Sequence, residues 1–565
     1  MGKAEFTVEE LVSKIEKGEL RLPEMQRRYV WRGVRVRDLL DSLYRGYPSG
    51  AILVWQSEGR VPERDFAVSQ TGSPTESALL LLDGQQRLTS LSAVIRGEPV
   101  QVRGRKRPID ILFNLDHSDE LSVVTEVNED NDTDEEDDEA DADADEDAIE
   151  QRIAQMAFVV EAKQLASRTN WVRVTDVFKS EDNGPFLIRA GVTDFKDPRC
   201  TKYSARLNKL RAIRKYTYRV DILEKSLSYE EVTEIFVRVN SLGAKLRGSD
   251  LAMAQITAKW PESLKIFEGF QAECAKGGFD LDLGIIIKNL IAFATRQSRF
   301  KVVGNLDINL IREAWEPSRE GLQYAMDFCR SNAGLSSPVL LSSPYLLIAL
   351  GYYGHTHEYE LTPEAESLLR YWLLLANAKG RYSRGSSETV LDQDLATIGA
   401  GRGANGLLHR ARAAFGRYEI EPTDLIGRTQ RSALFKTMFL AFHKAGAKDW
   451  EQSVTISPLH RGKQQKLQFH HIFPRAVLRG SYKTGEINDI ANLAFIGGRT
   501  NRRISNKPPA QYLADLLTKL GPDHFRLQCI PTDRALYAVN RYPDFLEARR
   551  ELIADRLNEF LGHPG

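Results

Sequence analysis

A strongly acidic segment interrupts this chain and cannot form a core by itself. Residues 126–150, EVNEDNDTDEEDDEADADADEDAIE, contain 16 acidic residues and neither Lys nor Arg. Such a segment has too little apolar surface to offset the entropy that ordering it would cost. Sheet-like sequences flank it, IDILFNL before and MAFVV after. We therefore expect a disordered insertion inside a domain, either a solvated spacer or a nucleic-acid mimic that shields a basic groove.

The acidic segment also conceals the charge of the remaining chain. The sequence of 565 residues has a net charge of −1, and without the 16 acids of residues 126–150 this becomes +15. A basic body is compatible with a polyanionic partner such as nucleic acid, although an ordinary basic surface is nearly as good an interpretation.

The cysteines and the apolar stretches indicate a cytoplasmic protein. Four cysteines lie far apart and form no C-x-x-C pair, which argues against a zinc knuckle and a disulfide framework. The N-terminus lacks the apolar core of a signal peptide, and the longest apolar stretches are too short to span a bilayer. We expect no membrane partner.

The pattern along the chain predicts an α+β protein of several domains. Residues 1–255 alternate apolar runs of strand length with amphipathic helices, the first of which begins at Thr7 with Glu10 three residues later, a capping box. Residues 256–450 are mostly helical in pattern. Residues 451–565 return to short apolar runs and turns before a last amphipathic helix.

One N-terminal stretch, ALLLLDGQQRLTSL, reads as a strand, a sharp turn and a helix. The first N–H groups of a helix lack partners and can bind an anion. Arg87 could pair with a phosphate, and Asp83 could hold Mg²⁺ or order a water. The candidate residues of this turn are Asp83, Gly84, Gln85, Gln86 and Arg87.

Two further stretches carry polar groups of the same kind. LPEMQRRYVWR mixes basic and aromatic residues, which suits contacts to phosphates and bases, whereas the alternative is a surface loop whose Tyr and Trp pack inward. FVRVNSLGAKLRGSDL places Arg238 and Asn240 before a turn at Gly243. The DNA-binding candidates of the first stretch are Gln26, Arg27, Arg28 and Tyr29.

Together, the three stretches resemble the N-terminal domain of GmrSD-type restriction enzymes, which are modification-dependent enzymes of type IV. The resemblance implies a ParB/sulfiredoxin-like α/β fold whose D-G-Q-Q-R turn binds and hydrolyses a nucleoside triphosphate, GTP, ATP or UTP. It also implies that Gln26 and Arg27 line the same pocket, and that Arg238 and Asn240 bind nucleotide. No Walker P-loop is present, so hydrolysis rests on the resemblance alone.

A second constellation lies near the C-terminus, where QFHHIFP contains the adjacent histidines His470 and His471. LQFHHIF and IANLAFI read as two strands, and a Gly-Gly turn leads into a helix at TNRRISN. In such a ββα unit, one residue on the first strand and Asn501 on the helix can hold a divalent cation, while the neighbouring histidine points to the other face as a general base. Asn492 on the second strand could fix that imidazole. Candidates for DNA-backbone contacts are Arg499, Arg502 and Arg503.

This constellation resembles the HNH endonucleases, with their ββα-metal fold. The resemblance implies that His471 is the general base, that Asn492 is the middle asparagine, and that His470 and Asn501 are metal ligands. Many relatives carry Asp or Glu at the position of His470 and histidine at that of Asn501. Because Mg²⁺ prefers oxygen ligands and imidazole suits Mn²⁺ better, the cation is Mg²⁺ or Mn²⁺. Without the resemblance, two adjacent histidines are more often structural.

The sequence thus predicts a DNA endonuclease of the restriction and anti-phage defence class. Its substrate would be double-stranded DNA, in particular modified phage DNA, and a homodimer is compatible with this interpretation. Two alternatives remain: a nucleotide-dependent DNA-binding regulator with an inactive HNH unit, and a nonspecific nuclease toxin. A segment of the helical region, residues 379–395, is also similar to the family and is either a hinge or interdomain contact, or a plain helix cap.

Overall fold

The computed structural model describes residues 2–57, 61–71, 79–102, 105–118, 153–242, 247–383, 385–450 and 469–563. It is a mixed α+β structure, as predicted, and its C-terminal region is mostly helical. The ParB/sulfiredoxin-like fold and the ββα-metal fold stay predictions. The contacts group the chain into two compact units, Met1–Leu264 and Lys265–Gly565. The three-part division at residues 255 and 450 therefore stays a prediction, and the acidic insertion 126–150 lies outside the described residues.

The first unit is built on a mixed sheet of six strands in the order β1-β11-β3-β5-β2-β4. The pairs β11–β3 and β2–β5 are parallel, and the other neighbours are antiparallel. A second sheet has the order β10-β8-β9, and β6 pairs with β7. The strands are β1 (Gly2–Thr7), β2 (Leu20–Pro23), β3 (Ile52–Gln56), β4 (Glu63–Arg64), β5 (Leu79–Asp83), β6 (Val100–Val102), β7 (Arg105–Arg107), β8 (Ile111–Asn114), β9 (Phe158–Val160), β10 (Trp171–Arg173) and β11 (Thr217–Leu223).

Both faces of the six-stranded sheet are covered. In β3, Ile52 and Val54 belong to one apolar cluster, and Leu53 and Trp55 belong to another on the opposite face. Since successive side chains of a strand point to opposite faces, a strand buried on both sides is apolar throughout. This explains the uninterrupted apolar run that the sequence shows here.

Helices pack on this sheet, and the first begins as predicted. Thr7 Oγ1 accepts from the backbone N–H of Glu10 at 3.2 Å, and Glu10 Oε2 accepts from the backbone N–H of Thr7 at 2.7 Å, which completes the capping box. The helices are α1 (Val8–Glu16), α2 (Gly33–Arg45), α3 (Gln85–Arg96), α4 (Lys163–Ala166), α5 (Val174–Lys179), α6 (Gly184–Arg189), α7 (Pro198–Arg211), α8 (Tyr229–Leu242) and α9 (Gly248–Lys259).

The two sequences that flank the acidic segment pair with each other. Strands β8 and β9 are antiparallel neighbours, with Phe113 opposite Phe158 and Ile111 opposite Val160. The chain therefore leaves this sheet after β8 and re-enters it at β9.

The second unit is mainly helical, and two of its helices approach closely at glycines. A Cβ on Gly351 would lie 2.6 Å from the carbonyl oxygen of Gly321, so the contact of these two helices requires a residue without a side chain. The helices are α10 (Ser263–Lys276), α11 (Leu283–Thr295), α12 (Ile308–Glu313), α13 (Trp315–Ala333), α14 (Tyr345–Thr356), α15 (Pro363–Ala378), α16 (Ser387–Gly399), α17 (Gly403–Phe415), α18 (Ala433–Lys444), α19 (Arg475–Leu478), α20 (Thr484–Ile487), α21 (Gly498–Ile504), α22 (Pro509–Leu520), α23 (Pro522–Arg526) and α24 (Tyr542–Leu561).

The segment 379–395 is held within this unit by polar contacts. Glu388 pairs with the Nζ of the buried Lys288 at 2.5 Å, and Asp392 accepts from the backbone N–H of Ser298 at 2.6 Å. Ser386, the N-cap of α16, makes no capping bond through its side chain within the described residues. A helix thus begins at Ser387 as the sequence indicates, and the role of the segment stays a prediction.

No helix in the described part of the chain is both long and apolar enough to cross a bilayer.

Candidate functional site

The C-terminal motif forms a smaller sheet than predicted. Within the described residues of the motif, His470–His471 (β12) and Leu493–Ala494 (β13) pair as antiparallel strands, a shorter ladder than expected over residues 469–473 and over IANLAFI. Leu467 and Gln468 lie outside the described residues. Asn492 lies in the 3₁₀ turn Ile490–Asn492 that precedes β13, and not on the strand. The two histidines are neighbours in β12 and so project to opposite faces.

Asn492 explains why the ladder stops. Its Oδ1 accepts from the backbone N–H of Phe473 at 2.8 Å, and its Nδ2 donates to the carbonyl of Phe473 at 3.1 Å. Nδ2 also donates to the carbonyl of Ile487 at 2.9 Å. The buried amide thus takes the place of a paired strand residue and secures the chain two residues after His471.

His470 has the buried side chain of the pair. Its Nε2 is buried and has no hydrogen-bond partner within the described residues. Burial, together with the neighbouring His471, lowers the pKa of His470 to about 4, so its ring is neutral at physiological pH. A neutral imidazole with an unused nitrogen is the form that binds a metal ion, and His470 therefore fits the predicted role of a ligand.

His471 is held by a residue that the sequence analysis did not select. Its Nε2 lies 2.9 Å from Oδ1 of Asn488. The same oxygen accepts from Nη2 of Arg475 at 2.9 Å, and since a guanidinium can only donate, this contact fixes which end of the amide faces both partners. His471 Nε2 must therefore carry the proton, and in the neutral ring Nδ1 is the basic nitrogen.

Asn501 lies in α21, and hydrogen bonds to the buried Asp449 hold the N-terminus of this helix in place. Asp449 accepts from the backbone N–H of Gly497 and from Oγ1 of Thr500, both at 2.6 Å. The side chain of Asn501 is partly exposed. Within the described residues, no three His, Cys, Asp or Glu side chains form a metal cluster, so a cation at His470 would depend on oxygen ligands such as this amide and on its substrate.

The arginines predicted beside the motif are only partly described. Arg503 is exposed on α21, whereas the side chains of Arg499 and Arg502 lie outside the described residues.

In the first unit, the D-G-Q-Q-R turn and the segment 25–31 are bonded to each other. Gln85 Nε2 donates to the carbonyl of Arg27 at 2.8 Å, and Gln86 Oε1 accepts from the backbone N–H of Val30 at 2.9 Å. Gln26 Nε2 donates to the carbonyl of Leu82 at 2.6 Å. The glutamines are buried, and these bonds place the two motifs side by side.

The turn itself leaves the start of α3 open. Gly84 has φ +101°, and a Cβ there would lie 2.4 Å from Cδ1 of Ile52, so this position needs glycine. As the N-cap it offers no side chain to the first N–H groups of α3. Asp83, at the end of β5, has a side chain that is 41% exposed.

The guanidinium of Arg87 donates hydrogen bonds to three residues around the turn. Its Nη1 donates to the carbonyl of Ser49, and its Nη2 donates to the carbonyl of Ala51 at 2.8 Å and to Asp83 Oδ2 at 3.2 Å. The guanidinium thus secures the chain that leads into β3 and orients Asp83.

The other N-terminal candidate residues differ in their exposure and in their contacts. Arg27 pairs with Asp250 of α9 at 3.1 Å, beside the turn. Tyr29 is only 2% exposed and its hydroxyl lies 2.8 Å from Ser90 Oγ, so it packs inward, the alternative that the sequence left open. Arg238 lies exposed on α8, where its Nε is 2.7 Å from Glu234. Arg28 is partly exposed, and the side chain of Asn240 lies outside the described residues.

The comparison with known families concerns the candidate site of the first unit. Residues 8–257 match the model of the GmrSD restriction endonuclease, N-terminal domain. This match confirms the predicted resemblance of the N-terminal region to that domain. It ends well before the HHIFP motif, whose interpretation depends on its geometry.

A curated relative extends over nearly the whole chain. The uncharacterized protein MJ0686 of Methanocaldococcus jannaschii is 22% identical, over 90% of this chain and 86% of its own length. The similarity therefore covers both units, and since that relative is uncharacterized it assigns no activity.

Proposed function

We propose that this protein is a modification-dependent DNA endonuclease, with a nucleotide-binding first unit and an HNH-type cleavage site at His470 and His471. The family match supports a type IV restriction endonuclease-like role and DNA as the substrate. Recognition of modified DNA, the nucleotide and the metal-dependent site are our additions to it.

The observation that carries the cleavage site is the different environment of the two adjacent histidines. His470 is buried, neutral and has an unused nitrogen, whereas His471 is oriented through Nε2 by Asn488. A structural histidine pair in a core would have its buried nitrogens satisfied. One metal ligand and one base, projecting to opposite faces, account for both environments.

The roles of the residues follow from these contacts. A divalent cation held by His470 and Asn501 would offset the charge that develops on the scissile phosphate. His471 accepts a proton from the attacking water at Nδ1, because its Nε2–H is already donated to Asn488. Asn492 keeps the backbone after His471 in place. The exposed Arg503 would contact the DNA backbone.

The decisive experiment compares cleavage of modified and unmodified DNA. Phage DNA with altered bases or a sulfur-modified backbone and matched unmodified DNA are incubated with the full-length protein, with Mg²⁺ or Mn²⁺, and with or without GTP, ATP or UTP. We expect cleavage of the modified DNA only. Equal cleavage of both substrates without nucleotide would support the nonspecific toxin, and binding without any cleavage would support the regulator.

A first prediction concerns Asn488. Asn488→Leu removes the acceptor that fixes the His471 tautomer, and we expect it to lower the cleavage rate about 10- to 100-fold, as for other residues that orient a catalytic group. Asn488→Asp keeps an acceptor for both His471 and Arg475 and should retain most of the activity. If both variants lose activity equally, Asn488 serves the fold and not the base.

The first unit is proposed to bind the triphosphate at the start of α3. The uncapped N–H groups after Gly84 suit a phosphate, and the exposed Asp83 suits its cation. Arg27 lies beside this turn. Since the terminal nitrogens of Arg87 already contact Ser49, Ala51 and Asp83, its main part is to shape the site.

A second prediction follows for Arg87. Arg87→Ala releases the chain at residues 49–51 and the carboxylate of Asp83, so we expect GTP, ATP or UTP binding to weaken at least tenfold, together with a modest fall in melting temperature. Calorimetric titration measures the first effect and thermal unfolding the second. Arg96→Ala, which removes an arginine at the other end of α3, is the control and should leave affinity unchanged; unaltered affinity in Arg87→Ala would place the nucleotide elsewhere.

A further inference from the structure

A cavity of about 370 Å³ lies between α16 and α17 in the second unit. Its lining includes Thr397, Arg402, Gly406, His409 and Arg410. None of these residues belongs to the two candidate sites described above.

Several lining residues of this cavity lie on one face of α17. Positions 402, 406, 409 and 413 recur at helical spacing and therefore share one face. Gly406 has no side chain, and a Cβ there would lie 2.9 Å from Cγ2 of Thr397 on α16. Gly406 therefore allows α17 to pack closely against Thr397, and the small Ala413 and the longer Arg402 and His409 also line the cavity.

The charge around the basic cavity is positive. Residues 395–418 contain four arginines and one histidine but no Asp or Glu. Arg402 and His409 are both exposed, and neither side chain has a hydrogen bond or ion pair with another described residue. Their donors are thus available to a ligand.

A buried cluster of charged residues lies next to the lining residue Arg410. Arg381 forms two bonds of 2.7 Å with the fully buried carboxylate of Asp394, and Tyr382 donates to the same group at 2.7 Å. Arg410 approaches it from the cavity side, with Nε 3.2 Å from Oδ1. Two guanidiniums thus face one carboxylate, and the cluster keeps a positive charge.

These features indicate which class of ligand the cavity can bind. Arginine and histidine donors around a hollow of this size suit a phosphate group. Among the residues that line the cavity there is no Phe, Tyr or Trp on which a base could stack. A nucleotide held through its base is therefore a poorer fit than the phosphate of a DNA backbone.

We infer that the basic cavity is a second DNA contact, which binds a backbone phosphate of the substrate through Arg402 and His409. This inference rests on the proposed function, because it takes DNA as the substrate. It also connects the segment 379–395 to the cavity, since Asp394 accepts a hydrogen bond from the lining residue Arg410.

The test measures DNA binding by full-length protein that carries His471→Ala, so that the DNA stays intact. Fluorescence anisotropy with a labelled 30-base-pair duplex gives Kd at several salt concentrations. We expect Arg402→Gln to raise Kd about three- to tenfold and to reduce the salt slope by about 0.9, the contribution of one phosphate contact. Ala413→Glu, which adds a negative charge to the exposed edge, should raise Kd similarly. Lys301→Gln, an exposed cation outside the cavity, is the control.

Each other outcome overturns the inference. Unchanged Kd and slope in both variants, or no DNA binding by the parent protein, would show that the basic cavity does not bind DNA. Weaker binding of inorganic phosphate or GTP with unaltered DNA affinity would make it a site for small anions. DNA cleavage by the protein with native His471 tests the proposed function separately, so cleavage with an inert cavity would reject this inference alone.

Discussion

His471→Ala is expected to lower the rate of DNA cleavage at least about 10³-fold and to leave DNA affinity unchanged. The imidazole supplies the only base of the proposed mechanism, and loss of a base that activates the nucleophile costs several orders of magnitude. Affinity depends mainly on phosphate contacts elsewhere, so it should stay within about twofold.

The measurement pairs plasmid cleavage with anisotropy on the same preparations. His443→Ala is the matched control, because His443 is also in the second unit but is exposed on α18. It should cut like the native protein. Cleavage by His471→Ala at a rate near that of the native protein would exclude His471 as the base and would make the HHIFP motif a structural element.

The order and type of the elements could be predicted here, but the extent of the strands could not. Apolar periodicity and the capping box at Thr7 placed α1, and the continuous apolar run of β3 follows from burial on both faces. The same reasoning extended β12 and β13 too far, because apolar residues around them are buried by tertiary contacts without joining the ladder. Asn492 bonds the backbone of Phe473 in place of a strand partner, which periodicity cannot reveal.

The residues that position the site were harder to predict than those that would do chemistry. Asn488 and Asp489 precede the asparagine that the motif selects, and the run IND was the only local signal for them. Asp489 accepts from the backbone N–H groups of Ala491 and Gly427 and from Arg550, so its role depends on residues distant in sequence. Asp449 likewise lies 48 residues before Gly497. Long-range polar contacts of this kind leave no period in the sequence.

Asp394→Ala is expected to be the most destabilising of the changes considered in the helical region. Asp394 is fully buried and accepts from Arg381, Tyr382 and Arg410. Removing it leaves the buried guanidinium of Arg381 without its counterion, and breaking one side of a buried ion pair typically costs about 3–5 kcal/mol. The melting temperature of the second unit should fall by on the order of 10 °C in calorimetry.

Two further variants show whether the loss of stability in Asp394→Ala comes from the burial of the charges or from the ion pair alone. Asp327→Ala breaks the exposed pair of Asp327 and Arg330 and should cost under about 1 kcal/mol, since surface pairs contribute little. The double change Asp394→Leu with Arg381→Met removes both buried charges and should recover part of the lost stability. If Asp394→Ala melts like the native protein, water must reach Arg381, and the charge cluster is then more open than its burial indicates. A large loss of stability that the double change partly restores would instead show that a buried charge cluster stabilises segment 379–395, and that the cavity residue Arg410 is part of this cluster.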